Sequence, residues 1–263
     1  MKRMLAAAVT AAALLPAVPA QAAADPGTAL KRQFVPGHGV TISETMRTTS
    51  DRPSLRETTR ITGSVEFGKS GVVASDLMVR SMGKDAASTD WMRVVSVGGR
   101  FYFQSPLMLD RLPMGKTWVL MAFEGEPLVS LAGVDVFKPR VLRSLVAHAK
   151  SVTGGLHRGS LTAKEAGALG SGGSGPFSYL LGLDSAGLPT RLDTDTGAGR
   201  GKDWTRTAVE TRFTGWGAKI TIKAPSEDDV ISSKEADEAT MAELLTAFED
   251  IPEGSTSSLG LSK

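Results

Sequence analysis

The chain has 263 residues, 41% of them hydrophobic, with 30 Lys and Arg against 28 Asp and Glu and no cysteine. Structural disulfides and a lipid-modified cysteine are thereby excluded, and with three histidines and no thiol a soft-metal site is disfavoured. Setting aside Lys2 and Arg3 leaves 28 positive charges against 28 negative, a balance that argues against nucleic acid or an anionic membrane surface as the main partner.

In chain order, Lys2 and Arg3 lead into an apolar run from Met4 to Val18, followed by the small residues Ala20-Gln21-Ala22 and Ala22-Ala23-Ala24. This is the pattern of a secretory signal peptide over residues 1–24, with the mature chain starting near Ala23 or Asp25. No later run reaches the roughly eighteen apolar residues of a membrane span, so the mature protein is expected to be released and not anchored. Residues 25–232 read as one domain, and 233–263 as an acidic C-terminal helix and a flexible tail.

From Thr59 the hydrophobic period is two: Thr59, Ile61, Gly63, Val65 and Phe67 share one face, and Arg60, Thr62, Ser64 and Glu66 the other. Strands follow over 72–82 and 91–97, and Gly98-Gly99 joins the latter to a strand over 100–104 as a two-residue hairpin turn. Residues 118–123 form another. After Pro139 the period becomes helical, and Phe137, Val141, Leu145 and His148 predict a helix over 137–150 with Arg140, Arg143 and Lys150 on its solvated side. Strand patterns resume at 156–162. The stretch Gly170 to Gly175 reads as a loop. Strands at 178–183 and 189–194 flank the turn Asp184-Ser185-Ala186-Gly187, strands at 204–213 and 218–223 follow, and 235–248 reads as a terminal helix. There is no internal repeat. Many strands with few helices predict an α+β fold built on an antiparallel sheet.

Chemical motifs break down residue by residue. Gly115-Lys116-Thr117 ends like a phosphate-binding loop, but Asp110 stands where its first glycine is required. Gly197-Ala198-Gly199-Arg200-Gly201 lacks dinucleotide-fingerprint spacing, and the calcium-loop start at Asp193 and Asp195 meets Trp204 where the bidentate glutamate belongs. Ser174 is followed by Pro176 where a nucleophile elbow needs glycine, and Ser81-Met82-Gly83-Lys84 lacks the companion motifs of penicillin-binding enzymes. His38, His148 and His157 are the available imidazoles. His148, on a largely apolar stripe, reads as structural. No nucleophile and base can be paired, so an enzyme is disfavoured and no cofactor is expected. Met46, Met78, Met82, Met92, Met108, Met114 and Met121 cluster in the strand-rich half, where thioethers suit either an adaptable pocket or an irregular core.

Three stretches carry a family resemblance. Val97-Gly98-Gly99-Arg100-Phe101-Tyr102-Phe103, followed by Leu112-Pro113-Met114-Gly115-Lys116-Thr117-Trp118-Val119, resembles the central strands of actinobacterial LppX/LprG-type envelope proteins, relatives of the LolA lipoprotein carriers. Tyr179-Leu180-Leu181-Gly182-Leu183-Asp184-Ser185-Ala186-Gly187-Leu188-Pro189-Thr190-Arg191 is similar to a hairpin in those proteins. Arg212-Phe213-Thr214-Gly215-Trp216-Gly217 with Ile220-Thr221-Ile222-Lys223-Ala224-Pro225 resembles their closing strands. The resemblance covers about residues 55 to 225. It implies a strongly curved antiparallel sheet, a half-barrel, with helices closing its concave face over an apolar cavity, and a function in carrying lipids or lipoproteins without covalent chemistry. The chain departs from most such relatives in lacking a lipid-anchored cysteine and in a first helix reduced to Thr28–Phe34.

A curved sheet whose concave face is incompletely covered accepts hydrocarbon at about 0.8 kcal/mol per buried methylene, with no polar motif needed. Residues on apolar strand faces are the candidate walls: Val65, Phe67, Val79, Met92, Val95, Phe101, Phe103, Val119, Met121, Leu181 and Phe213. Two functions stand open at this stage. One is a secreted, monomeric carrier of a lipid or other hydrophobic small molecule. The other is a cell-envelope protein-interaction or sensor module whose core is filled and whose partner is an envelope protein.

Overall fold

A computed structural model describes residues 25–52, 56–82, 91–130, 133–169, 177–198 and 204–238. Two antiparallel meanders build it. The first comprises β1 (His38–Ser50), β2 (Glu57–Phe67), β3 (Val72–Ser81), β4 (Trp91–Val97), β5 (Arg100–Gln104) and β6 (Trp118–Glu124). The second comprises β7 (Ala149–Thr153), β8 (Leu156–Leu161), β9 (Phe177–Leu183), β10 (Pro189–Ala198) and β11 (Thr205–Lys219). A short β12 (Val230–Ser232) adds to β6 in parallel. Because β1 pairs with β11, the meanders fuse into one unclosed, curved sheet of order β12-β6-β5-β4-β3-β2-β1-β11-β10-β9-β8-β7. Helices α1 (Pro26–Arg32), α2 (Pro106–Leu109), α3 (Pro139–Ala147) and α4 (Ala163–Ala168) accompany it. This is an α+β fold built on one curved, unclosed and mostly antiparallel sheet, the class that the strand-rich sequence predicts.

Cross-strand register sorts the side chains onto two faces. On the concave face one rib runs Phe213, Ile42, Gly63, Leu77, Val94, Phe103, Val119 and Ile231, each residue opposite the next on the neighbouring strand. A parallel rib runs His157, Leu181, Leu192, Thr211, Glu44, Ile61, Val79 and Met92. Gly63 has a structural reason: a Cβ there would lie 2.0 Å from the Asp76 carbonyl oxygen and 2.9 Å from Leu77 Cα, so β2 and β3 approach too closely for a side chain.

The main core lies where α1, α3 and the segment 134–137 cover β1, β2 and β8–β11. It joins Leu30 of α1, Val141, Leu142 and Leu145 of α3, and Val134, Val136 and Phe137 to Val40, Ile42, Val65, Phe67, Phe177, Tyr179, Leu181, Leu192, Val209 and Phe213 of the sheet. Phe137 is its aromatic hub, with ring centroids 5.9 Å from Phe67, 5.8 Å from Phe213 and 5.9 Å from Trp216. α3 is fixed at two points along its length. At its middle Arg143 pairs with Asp25 at 3.0 Å, and Asp25 also caps α1 by accepting from the Thr28 amide at 2.8 Å. The Arg143 guanidinium and Thr28 hold the Asp25 carboxyl far below the usual carboxylate range. Near its end the Leu145 carbonyl accepts the Tyr179 hydroxyl at 2.5 Å.

Most predicted strands are found within a residue or two. The turn at Gly98-Gly99 has φ of 60° and 79°, the positive values that a hairpin turn of the primed kind demands. At the second hairpin, Asp184 Oδ1 accepts from the amides of Ala186 at 2.9 Å and Leu188 at 2.8 Å, a side chain standing in for backbone.

Five readings of these elements are corrected. The predicted helix over 137–150 ends at Ala147, because Ala149 to Thr153 pair with β8 as β7. His148, past that end, is exposed and leaves the apolar stripe. The two strands expected at 204–213 and 218–223 are one long β11, which carries positive-φ glycines at Gly215 and Gly217 and ends at Lys219, so that 220–223 leave the sheet. The reduced first helix sits at Pro26–Arg32, two residues earlier than expected, because Asp25 caps it. The terminal helix begins at residue 233, where Ser232 and Glu235 cap each other's backbone amides. Its expected residues 239–248, the signal peptide and the loop at 170–175 lie outside the described residues.

Two outcomes follow from this packing. Phe137→Ala, which empties the hub, is expected to cost about 3–5 kcal/mol in urea unfolding followed by circular dichroism. Burial pushes the Tyr179 hydroxyl up from 10.0 to about 12. The unfolded chain therefore loses this proton first, and stability falls as pH rises between those two values. Tyr179→Phe is expected to flatten that alkaline loss in melting curves taken from pH 9 to 12, and an unchanged slope would assign it to other groups.

Candidate functional site

The concave face is divided. Over β1, β2 and β8–β11 it is filled by α1, α3 and residues 134–137, and four of the predicted wall residues, Val65, Phe67, Leu181 and Phe213, sit there at 0 to 4% exposure. These four are packed core. The other half, on β3–β6, presents Val79, Met92, Phe101, Phe103, Val119 and Met121 on the same side of the sheet. None of these six joins the core cluster under α1 and α3. Phe101 and Val119 are buried, whereas Val79, Met92, Phe103 and Met121 are half-buried.

Val95 is a correction. It pairs with Tyr102, and both face the opposite side of the sheet, where they pack with Trp118. Alternation places it there, since Val94 and Ser96 on either side point into the concave face. The segment 220–230 covers this second cluster: Ile222 and Val230 pack on it, and the Ile222 amide donates to Glu66 at 2.7 Å. Arg93, which pairs with Asp76 at 2.7 Å, lies 5.4 Å over the Trp118 ring.

Glu44 is the residue that sequence reasoning missed. It is 1% exposed on the concave face and accepts hydrogen bonds from the Thr211 hydroxyl at 2.8 Å and from the Ser130 hydroxyl. Thr211 is its direct partner across the β1–β11 seam, while Ser130 belongs to the chain segment following β6. A buried carboxylate is tolerated only with such partners. Here it ties the segment that crosses toward Val134 and Phe137 down onto the sheet. The signal was present, since Glu44 interrupts an apolar file of Val40, Ile42 and Met46.

A 260 Å³ cavity opens at the rim of the packed half, lined by Val72, Val129, Phe137, Asp135, Lys138 and Glu126 among others. Burial raises the Asp135 carboxyl, and Lys138, which donates to Glu126 at 2.5 Å, is raised by that bond. A larger cleft of 650 Å³ lies on the face opposite the helices.

The three histidines are dispersed. His38 Nδ1 lies 3.3 Å from the Pro36 carbonyl, His148 Nδ1 lies 2.8 Å from the Ser144 carbonyl, and His157 faces the core side of β8, where burial pushes its pKa down. His148 Nε2 is 3.7 Å from Glu165 Oε1, while Glu165 Oε2 closes the capping box of α4 with Thr162. Among the described residues no three His, Cys, Asp or Glu side chains converge as metal ligands, and no helix is long and apolar enough to cross a membrane. Ser174 and Lys84 lie outside the described residues.

No family model and no curated protein matches this chain. Among solved structures, it is similar to the Mycobacterium tuberculosis lipoprotein LppX at 14% identity and a TM-score of 0.38, over 76% of this chain and 100% of that one. It is also similar to LprF from Mycobacterium bovis at 16% identity and a TM-score of 0.36, over 77% and 94% of the two chains. A LolA superfamily protein from Nitrosomonas europaea aligns at 11% identity and a TM-score of 0.27, over 74% and 93%. The fold itself rests on the strand order and the one-sided placement of the helices described above.

Proposed function

We propose that the protein is a secreted, non-enzymatic monomer that holds a lipid or other hydrophobic molecule on the β3–β6 half of its concave face. The observation that carries this reading is the division of that face. An apolar rib continues from the packed core through Leu77, Val94 and Val119, which are buried, and Phe103, which is half-buried, and none of the four joins the core cluster of α1 and α3. Val79, Met92, Phe103 and Met121 are large, apolar and half-buried, and two are flexible thioethers able to adapt to an acyl chain. The signal-peptide pattern, the absence of cysteine and the balanced charge of the mature chain support release outside the cytoplasm.

A second reading has its own support. Val65, Phe67, Leu181 and Phe213 are packed core, so half of the expected cavity is filled, as in an envelope protein-interaction module. The two readings differ in what the protein takes up.

The deciding measurement is mass spectrometry of the organic extract of mature protein purified without detergent, together with uptake of a fluorescent fatty-acyl probe. A stoichiometric lipid, and a probe affinity that falls at least about tenfold in Phe103→Glu and Met121→Glu while the melting temperature is kept, are the expected results. An empty extract with no uptake would sink the carrier and favour the interaction module.

A further inference from the structure

The 650 Å³ cleft lies on the face of the sheet turned away from the helices, across β1, β11, β10, β9, β8 and β7. Its shape follows from register. One file runs Arg158, Leu180, Asp193 and Glu210, and the next runs Ser160, Ser178, Asp195, Ala208 and Arg47. The short side chains Ser160, Ser178 and Ala208 form the floor, and longer charged ones wall it. The volume is that of a small-molecule site.

The charges are unevenly satisfied. Each carboxylate lining the cleft is engaged by an arginine outside the lining: Asp193 by Arg191 at 2.5 Å, Glu210 by Arg212 at 2.7 Å, and Asp195 by Arg206. The lining cations are not neutralised in the same way. Arg158 is exposed and has no carboxylate within ion-pair distance among the described residues. Lys150 donates to the Ser160 hydroxyl at 2.6 Å, on the strand pair that carries Arg158, and lies near Glu165 of α4 without an ion pair to it. Arg47, at the far end, lies near the already paired Glu210. The cleft therefore has a cationic end at β7–β8, with hydroxyls from Ser151 and Ser160 and from Ser178 on the neighbouring β9, and a carboxylate-bearing end on β10–β11. These ends are three strands apart, roughly 14 Å at ordinary strand spacing.

We propose that this cleft binds a phosphorylated sugar, with the phosphate between Lys150 and Arg158 and the sugar hydroxyls reaching over Ser178 toward Asp193 and Asp195. A guanidinium and an ammonium on paired strands of one cleft suit a phosphate dianion, the first as a planar fork and the second as a point charge. Carboxylates already held by arginine keep lone pairs for hydroxyl donors. The site is on the opposite face from the one proposed for a hydrophobic ligand and needs no acyl chain, so either assignment can fall without the other.

Titration of the 15N-labelled mature chain with glucose 1-phosphate, inorganic phosphate and glucose, read by amide chemical shifts, tests it. The expected result is saturable shifts confined to 150–160, 178–180 and 193–195, tightest for glucose 1-phosphate, weaker for phosphate and absent for glucose. Lys150→Gln with Arg158→Gln is expected to weaken binding at least about tenfold and to remove most of its salt dependence, while Lys69→Gln leaves it unchanged. Both substituted side chains are exposed, and a retained melting temperature confirms that the fold survives. No saturation with glucose 1-phosphate, or equal binding by the double variant, overturns the site. Equal affinity for inorganic phosphate overturns the sugar assignment.

Discussion

The pairing of β1 with β11 is the constraint on which the rest depends. Twelve residue pairs, from His38 opposite Lys219 to Ser50 opposite Thr205, join the start of the sheet to its last long strand. Without this seam the chain would be two separate meanders, each with an exposed edge and an uncovered apolar face. With it, the ribs on the concave face become continuous, and α1 and α3 have a surface broad enough to bury Leu30, Val141, Leu142 and Leu145. The seam joins residues more than 150 positions apart, so its loop-closure entropy is offset only when much of the core forms with it.

Glu44 is placed at this seam for a reason that packing makes visible. Its hydrogen bonds to Thr211 and Ser130 tie together the first strand, the last long strand and the crossing segment between the meanders. A leucine there would fill the volume but would leave the Thr211 and Ser130 hydroxyls without this acceptor. The same crossing segment leads through Val134 and Val136 to Phe137, so one carboxylate and one aromatic hub hold the cover of the packed half.

The two faces divide the proposed work. Apolar ribs and sparse polarity on the concave face suit a ligand recognised by area and shape. Charged files with small residues between them on the other face suit one recognised by charge and hydrogen bonds. Alternation along each strand produces both from the same residues: Tyr179 enters the core while Ser178 and Leu180 line the polar cleft.

How much of this was legible depended on whether the determining interactions were local. Hairpins at Gly98-Gly99 and at Asp184–Gly187 are set by residues adjacent in the chain, and the sequence alone was enough to place them, along with the strand-rich α+β class and the apolar period of α3. The central strand β1 was not recognised, because Glu44 breaks its apolar file and its hydrogen bonds to Thr211 and Ser130 come from residues distant in sequence. The Val95 side was likewise misjudged: its period is correct, but only pairing with β3 and β5 fixes which face is concave. A strand's pattern determines that its residues alternate. Which face the helices cover, and hence which apolar residues are packed core, which lie beyond the helices and which line the outer face, was decided by tertiary structure, because register and curvature arise from contacts between strands and not within them.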